Sequence, residues 1–164
     1  NPPATLFGNS SYVDGVDGQA LELHEPGAQV CARVDYQLSD ENGSVSLWYY
    51  NATQTNQYHA VFDNSADPNY WEMWTDTSGI LTARVIGTSG RTSYNLNTLN
   101  GWNHWYHIVY TWNRTDSVAK LFINGVERGS DPIDAWSAPG RYFYLGGGSM
   151  ASLMENLRVL MEFQ

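Results

Sequence analysis

The sequence predicts an all-β protein, a two-sheet antiparallel sandwich of jelly-roll type. Three observations carry that expectation. Apolar and polar residues alternate with a period of two along many short segments, and helical periodicity is hard to find. Turn-forming Gly, Pro, Asn and Asp separate these segments at a spacing of roughly ten residues. The 164 residues include 7 Trp, 11 Tyr, 5 Phe and 15 Gly, a mix that suits pleated surfaces joined by polar loops. The length fits one domain, 1–164, large enough to bury a core without covalent staples.

Segment 19–24 sets Leu21 and Leu23 on one face, and Glu25-Pro26-Gly27 reads as the turn that ends it. Segment 28–34 alternates Ala28, Val30, Ala32 and Val34 against Gln29, Cys31 and Arg33. Segment 44–51 sets Val45, Leu47 and Tyr49 against Trp48 and Tyr50. Segments 57–63 and 69–76 are aromatic strands on either side of a loop at 64–68, and 80–86 is a β-branched run that stops at Gly87. Segment 103–113 alternates His104, Tyr106, Ile108, Tyr110 and Trp112 against Trp105, His107, Val109 and Thr111. Both of its faces are largely apolar, which predicts a central strand covered on both sides. Segment 117–124 ends in Asn124-Gly125, a strong tight-turn pair, so 126–129 is a short return strand. Segment 141–145 runs into three glycines, and 153–163 closes the chain.

Charge narrows the function classes. Seventeen acidic residues oppose eight basic ones, a net charge of −9, and Lys120 is the one lysine. Nucleic-acid binding and attachment to anionic membranes both draw on clustered Lys and Arg, so neither is expected. No run of about 18 apolar residues could span a bilayer. Cys31 is the sole cysteine, which excludes an intrachain disulfide and a thiolate zinc cluster. The chain opens at Asn1 rather than Met, as a mature or excised segment of a larger extracellular or cell-surface protein would.

One stretch carries a family signature. Trp102-Asn103-His104-Trp105-Tyr106-His107-Ile108-Val109-Tyr110-Thr111-Trp112, continued by Leu121-Phe122-Ile123-Asn124-Gly125, resembles the hallmark strands of laminin-G-like, concanavalin-A-like jelly rolls. Val16-Asp17-Gly18-Gln19-Ala20-Leu21 resembles that family's opening, Ser44-Val45-Ser46-Leu47-Trp48 an internal strand, and Leu157-Arg158-Val159-Leu160 its closing strand. The resemblance implies that Trp48, Trp105 and Trp112 are core aromatics and that His107 is a packing residue. It also implies a structural calcium between an N-terminal loop and the last strand. Here that would engage Asp14, Asp17 and Glu155, the last standing where the family usually has Asp. The simpler reading is that Asp14 and Asp17 make turn hydrogen bonds.

Catalytic chemistry is poorly represented. The E-x-D-x-x-E string of glycosidases on this scaffold is absent, as is a G-x-S-x-G elbow. Glu72 and Asp76 share a face of one expected strand but lie ~13 Å apart at Cα. A retaining pair needs carboxyls at about 5 Å and an inverting pair at most about 9.5 Å. Acids from different strands can still converge. His104 and His107 point to opposite faces and cannot share a metal.

Aromatic residues are the better lead. Tyr70, Glu72 and Trp74 share one face of their strand and Trp71 and Met73 the other, so whichever face is outward carries a Trp. A sugar offers an apolar C–H face to a ring and hydroxyls to polar neighbours. Tyr58, His59, Asp63, Asn69 and Arg84 are placed to supply the latter, with His59 and Asp63 on one strand face. Trp136, in a loop between two prolines, is a separate candidate. Against each stands core or edge packing. The expected function is a non-catalytic, lectin-like carbohydrate-binding module whose partner is a glycan or glycoconjugate. The alternative is a protein-binding adhesion or spike module, and a glycosidase or polysaccharide lyase comes third.

Overall fold

The alternating segments pair into two antiparallel seven-stranded sheets. The structure, a computed structural model, describes residues 4–8, 10–23, 31–35, 38–39, 41–51, 59–63, 71–85, 91–134, 142–146 and 159–163. In chain order the strands are β1 (Ala4–Phe7), β2 (Ser10–Asp14), β3 (Gln19–Leu23), β4 (Cys31–Val34) and β5 (Asn42–Asn51). Then come β6 (His59–Asp63), β7 (Glu72–Thr75), β8 (Ile80–Arg84) and β9 (Thr92–Asn95), followed by a turn of 3-10 helix at Leu96–Thr98. The chain continues through β10 (His104–Asn113), β11 (Val118–Ile123), β12 (Val126–Pro132), β13 (Phe143–Gly146) and β14 (Val159–Phe163). The first sheet has the order β1-β4-β13-β6-β7-β8-β9 and the second β12-β11-β10-β5-β14-β3-β2.

The core lies between the sheets. β10 turns Tyr106, Ile108, Tyr110 and Trp112 inward, beside Leu47 and Tyr49 of β5 and Ala119, Leu121 and Ile123 of β11. The first sheet answers with Ala32, Val34, Phe62, Met73, Leu81, Ala83 and Leu145. Two contacts tie the layers together. Trp71 meets Trp112 edge to face, with ring centroids 4.6 Å apart, a favoured aromatic geometry. The hydroxyls of Tyr49 and Thr75 bond at 3.1 Å, which satisfies two buried polar groups.

Local chemistry sets the strand ends. Asn124 and Gly125 both take positive φ, 52° and 76°, as a two-residue hairpin turn of the favoured twist requires. β12 runs on to Pro132, past the expected end at 129, because a bulge opposite Leu121/Phe122 takes up Arg128 and restores pairing. β1, β2 and β9 were not among the expected segments. Segment 153–158 of the expected closing strand lies outside the described residues.

One reading is corrected by the sheet geometry. β10 is central within its sheet, but the core covers one face. Trp105, His107, Val109 and Thr111 face outward and are half-buried, and so are Trp48 and Tyr50 of β5. Trp112 is a core aromatic; Trp48 and Trp105 are not.

Candidate functional site

Alternation along β7 sends Met73 and Thr75 into the core, so Glu72 and Trp74 project from the outer face of the first sheet. Register then assembles a row. Arg33 of β4 pairs with Tyr144 of β13, Tyr144 with Asp63 of β6, Asp63 with Glu72, and Glu72 with Arg84 of β8. Cross-strand partners share a face, so one line of groups crosses five strands. The neighbouring row runs Ala60, Trp74, Thr82, Ser93, and the Thr82 and Ser93 hydroxyls bond at 2.9 Å.

Burial sorts the charges in depth. Asp63 is 0% exposed and Glu72 4%, although both face away from the core. Arg84 makes an ion pair with Glu72. Burial pushes the Glu72 carboxyl up from its ordinary range; Arg84 and, more weakly, Arg91 counter this and Asp63 adds to it. Above the carboxylates, the guanidinium carbons of Arg84 and Arg91 each lie 5.4 Å from the Trp74 ring centroid. Arg91, immediately before β9, is exposed, whereas Trp74 is 7% exposed. Along the same row Arg33 lies 4.7 Å from the Tyr142 ring and bonds Asp35 at 3.0 Å.

The expected site residues separate into four groups. Asp63, Trp74 and Arg84 converge on this face. Trp71 is corrected: it is 1% exposed and packed on Trp112, so no ligand reaches its ring. His59 is corrected as well. A bulge between Ala60 and Phe62 shifts parity, so His59 pairs with Thr75 while Asp63 pairs with Glu72 on the other face. His59 is 3% exposed, lies edge-on to Trp102 at 6.4 Å, and burial pulls its imidazole down to about 4. Tyr58, Asn69, Tyr70, Trp136 and Glu155 lie outside the described residues.

Asp14 and Asp17 are exposed at the β2–β3 hairpin, where the Gly15 N–H donates to the Gly18 carbonyl at 2.8 Å. Among the described residues, no three His, Cys, Asp or Glu gather as a metal site. Asp76 accepts from the N–H groups of Ser78 and Ile80, at 2.8 and 2.9 Å, and so shapes the β7–β8 turn.

Sequence reading missed the Asp63–Glu72 juxtaposition and Arg91, because both need the pairing register. It also missed an aromatic ladder on the outer face of the second sheet. There Trp48 and His107 lie 5.0 Å apart and Tyr50 and Trp105 5.3 Å apart. His107 Nε2 bonds the Ser46 hydroxyl at 3.1 Å. The alternating outward set of β10 was the available signal.

Comparison with known proteins agrees on the fold. A family model described as the concanavalin A-like lectin/glucanases superfamily matches residues 24–159. The receptor binding domain of botulinum neurotoxin D superposes with a TM-score of 0.75 at 16% identity, over 98% of this chain and 43% of that one. A serotype D ligand binding domain in complex with N-acetylneuraminic acid gives 0.74 at 15%, over 98% and 41%. The binding domain of Paraclostridial Mosquitocidal Protein 1 gives 0.76 at 17%, over 99% and 43%. The chain thus spans about two-fifths of the length of these binding domains, and at such identity the likeness is one of fold. A comparison with curated protein sequences finds no match. The match over 24–159, together with two stacked antiparallel sheets and the strand signatures at 102–112 and 121–125, means that this chain belongs to the concanavalin A-like lectin/glucanase superfamily.

Proposed function

We propose that the chain is a non-catalytic, lectin-like glycan-binding module of an extracellular or cell-surface protein. Its ligand face is the outer face of the first sheet, where Arg84 and Arg91 lie against the Trp74 ring and the covered carboxylates Asp63 and Glu72 hold the cluster from beneath. The observation that carries this reading is the convergence of two carboxylates, a guanidinium and an indole on three adjacent strands, on the side away from the core. Sugar hydroxyls need donors and acceptors held at fixed separations, and β-strand register holds them. Trp74 is covered by guanidinium groups, so its ring is the platform on which Arg84 is held, and the sugar is recognised through that stack.

A glycosidase needs two carboxyls in an open cleft with room for a sugar and a water. Asp63 and Glu72 are adjacent across β6 and β7, but they are covered, and Glu72 is committed to Arg84. That arrangement supports recognition over hydrolysis. The binding domains that share the fold support the same reading, one of them in complex with N-acetylneuraminic acid. A structural calcium at Asp14 and Asp17 remains part of the proposal. Two exposed carboxylates fall short of the six to eight oxygens that calcium takes, so Glu155 or other oxygens must complete the set.

The second reading, a protein-binding adhesion module, is favoured by one observation: the half-buried ladder of Trp48, Tyr50, Trp105 and His107 on the opposite sheet. Tyr and Trp are enriched at protein interfaces.

A glycan array probed with the intact chain, once in calcium and once in EDTA, tests the proposal. Binding to a defined glycan class supports it, and loss of that binding in EDTA adds calcium to the mechanism. Folded protein that binds no glycan in either buffer overturns it in favour of the protein-binding reading.

A further inference from the structure

Resting on the reading above, we infer that Arg91, held on the Trp74 indole, is a subsite for an oxyanion carried by the sugar, a carboxylate or a sulfate ester. Four of the described cations have carboxylate partners: Arg33 with Asp35, Arg84 with Glu72, Arg114 with Glu41 and Lys120 with Glu127. Arg91 has none among the described residues. In a chain with 17 acidic residues and 8 basic ones, an exposed guanidinium with no carboxylate bonded to it stands out. Arg128 is the other described cation without one, but it is half-buried, with its guanidinium carbon 4.9 Å from the Tyr94 ring centroid.

Three features make Arg91 a built anion site rather than a loose surface charge. Its guanidinium lies against the Trp74 ring, which limits the rotamer freedom that binding would otherwise remove. A second guanidinium, Arg84, lies at the same distance from the same ring, so two positive charges share one platform. Glu72 makes its ion pair with Arg84; its charge also acts on Arg91, but among the described residues no carboxylate bonds the Arg91 guanidinium. The depth order completes the argument. The negative groups lie below the surface, at 0% exposure for Asp63 and 4% for Glu72, and Arg91 is the group that solvent meets. An incoming anion therefore meets N–H donors first. Guanidinium presents a planar fork of such donors, which matches carboxylate and sulfate oxygens in pairs.

The test uses one oligosaccharide in three forms: neutral, with a glucuronic acid in place of a neutral glucose, and with an O-sulfate on that glucose. Affinities are measured by calorimetry at low and high salt for the intact wild-type chain, R91Q and R91K. Arg91 is exposed, and folding of each variant is checked by its melting transition. At low salt the wild-type chain should bind at least one charged form about tenfold more tightly than the neutral one, and salt should reduce that preference. R91Q should bring the charged form down to the neutral one, with R91K in between. The form preferred tells carboxylate from sulfate. Equal binding of all three forms by the wild-type chain overturns this inference and leaves glycan recognition standing, as does a charge preference that survives in R91Q. Binding of none of the three, nor of any glycan on the array, overturns both.

Discussion

His59 stands at the start of β6 with 3% of its surface exposed. It lies four residues before Asp63, which suggests a shared strand face, but the bulge between Ala60 and Phe62 turns it toward Thr75. Its burial has a thermodynamic consequence. The folded imidazole titrates at about 4 against an ordinary 6.5, so over that interval the unfolded chain binds the extra proton. Stability from this group is complete above pH 6.5 and is lost as pH falls toward 4, by roughly 3 kcal/mol. Glu72 acts with the opposite sign. Its raised carboxyl favours the folded state at low pH, and that contribution fades as pH rises through its titration. Denaturant unfolding of wild type and H59Q between pH 7 and pH 4 separates the two. The wild type should lose stability relative to H59Q as pH falls, and parallel profiles would mean that the imidazole is not held neutral by burial.

At the scale of elements, strands with one polar face were legible, and those with two apolar faces or a bulge were not fully so. β11 alternates half-buried and buried residues without a break, and Asn124-Gly125 marks its end. β10 carries aromatics on both faces, so periodicity does not say which set meets the core, and the family resemblance put Trp105, with Trp48 of β5, on the wrong side. β9, Thr-Ser-Tyr-Asn, has no apolar alternation to read and becomes a strand by pairing with β8. The β5–β10 ladder makes a specific prediction. Gly43 pairs with Trp112, and a Cβ at that position would collide with the Trp112 indole. That indole is fixed by its bond to the Ser39 carbonyl at 2.9 Å and by its contact with Trp71. G43A should therefore cost about 1–3 kcal/mol by overpacking, read as a lower melting temperature. An unchanged melting temperature would mean that the indole can shift.

For the whole molecule, the fold was readable because alternation and turn chemistry are local, and the candidate site was less so because it is not. Its row joins residues 33, 144, 63, 72 and 84, brought together by strand register and, between β4, β13 and β6, by neighbours far apart in the chain. Asp63, Trp74 and Arg84 could be named in advance from residue type, but the pairing of Asp63 with Glu72 and the approach of Arg91 could not. The sandwich also presents two outer faces of different character. One has buried acids beneath the half-buried Arg84 and the exposed Arg91, and the other has paired aromatics with Ser46 and His107. The central claim is that the first of these faces takes the glycan. The most direct test compares W74A with W48A for binding to the glycan that the array identifies. Loss of binding in W74A, with W48A retaining wild-type affinity, is the predicted result; loss in W48A with W74A unaffected would contradict the account and move the ligand to the aromatic ladder of the second sheet.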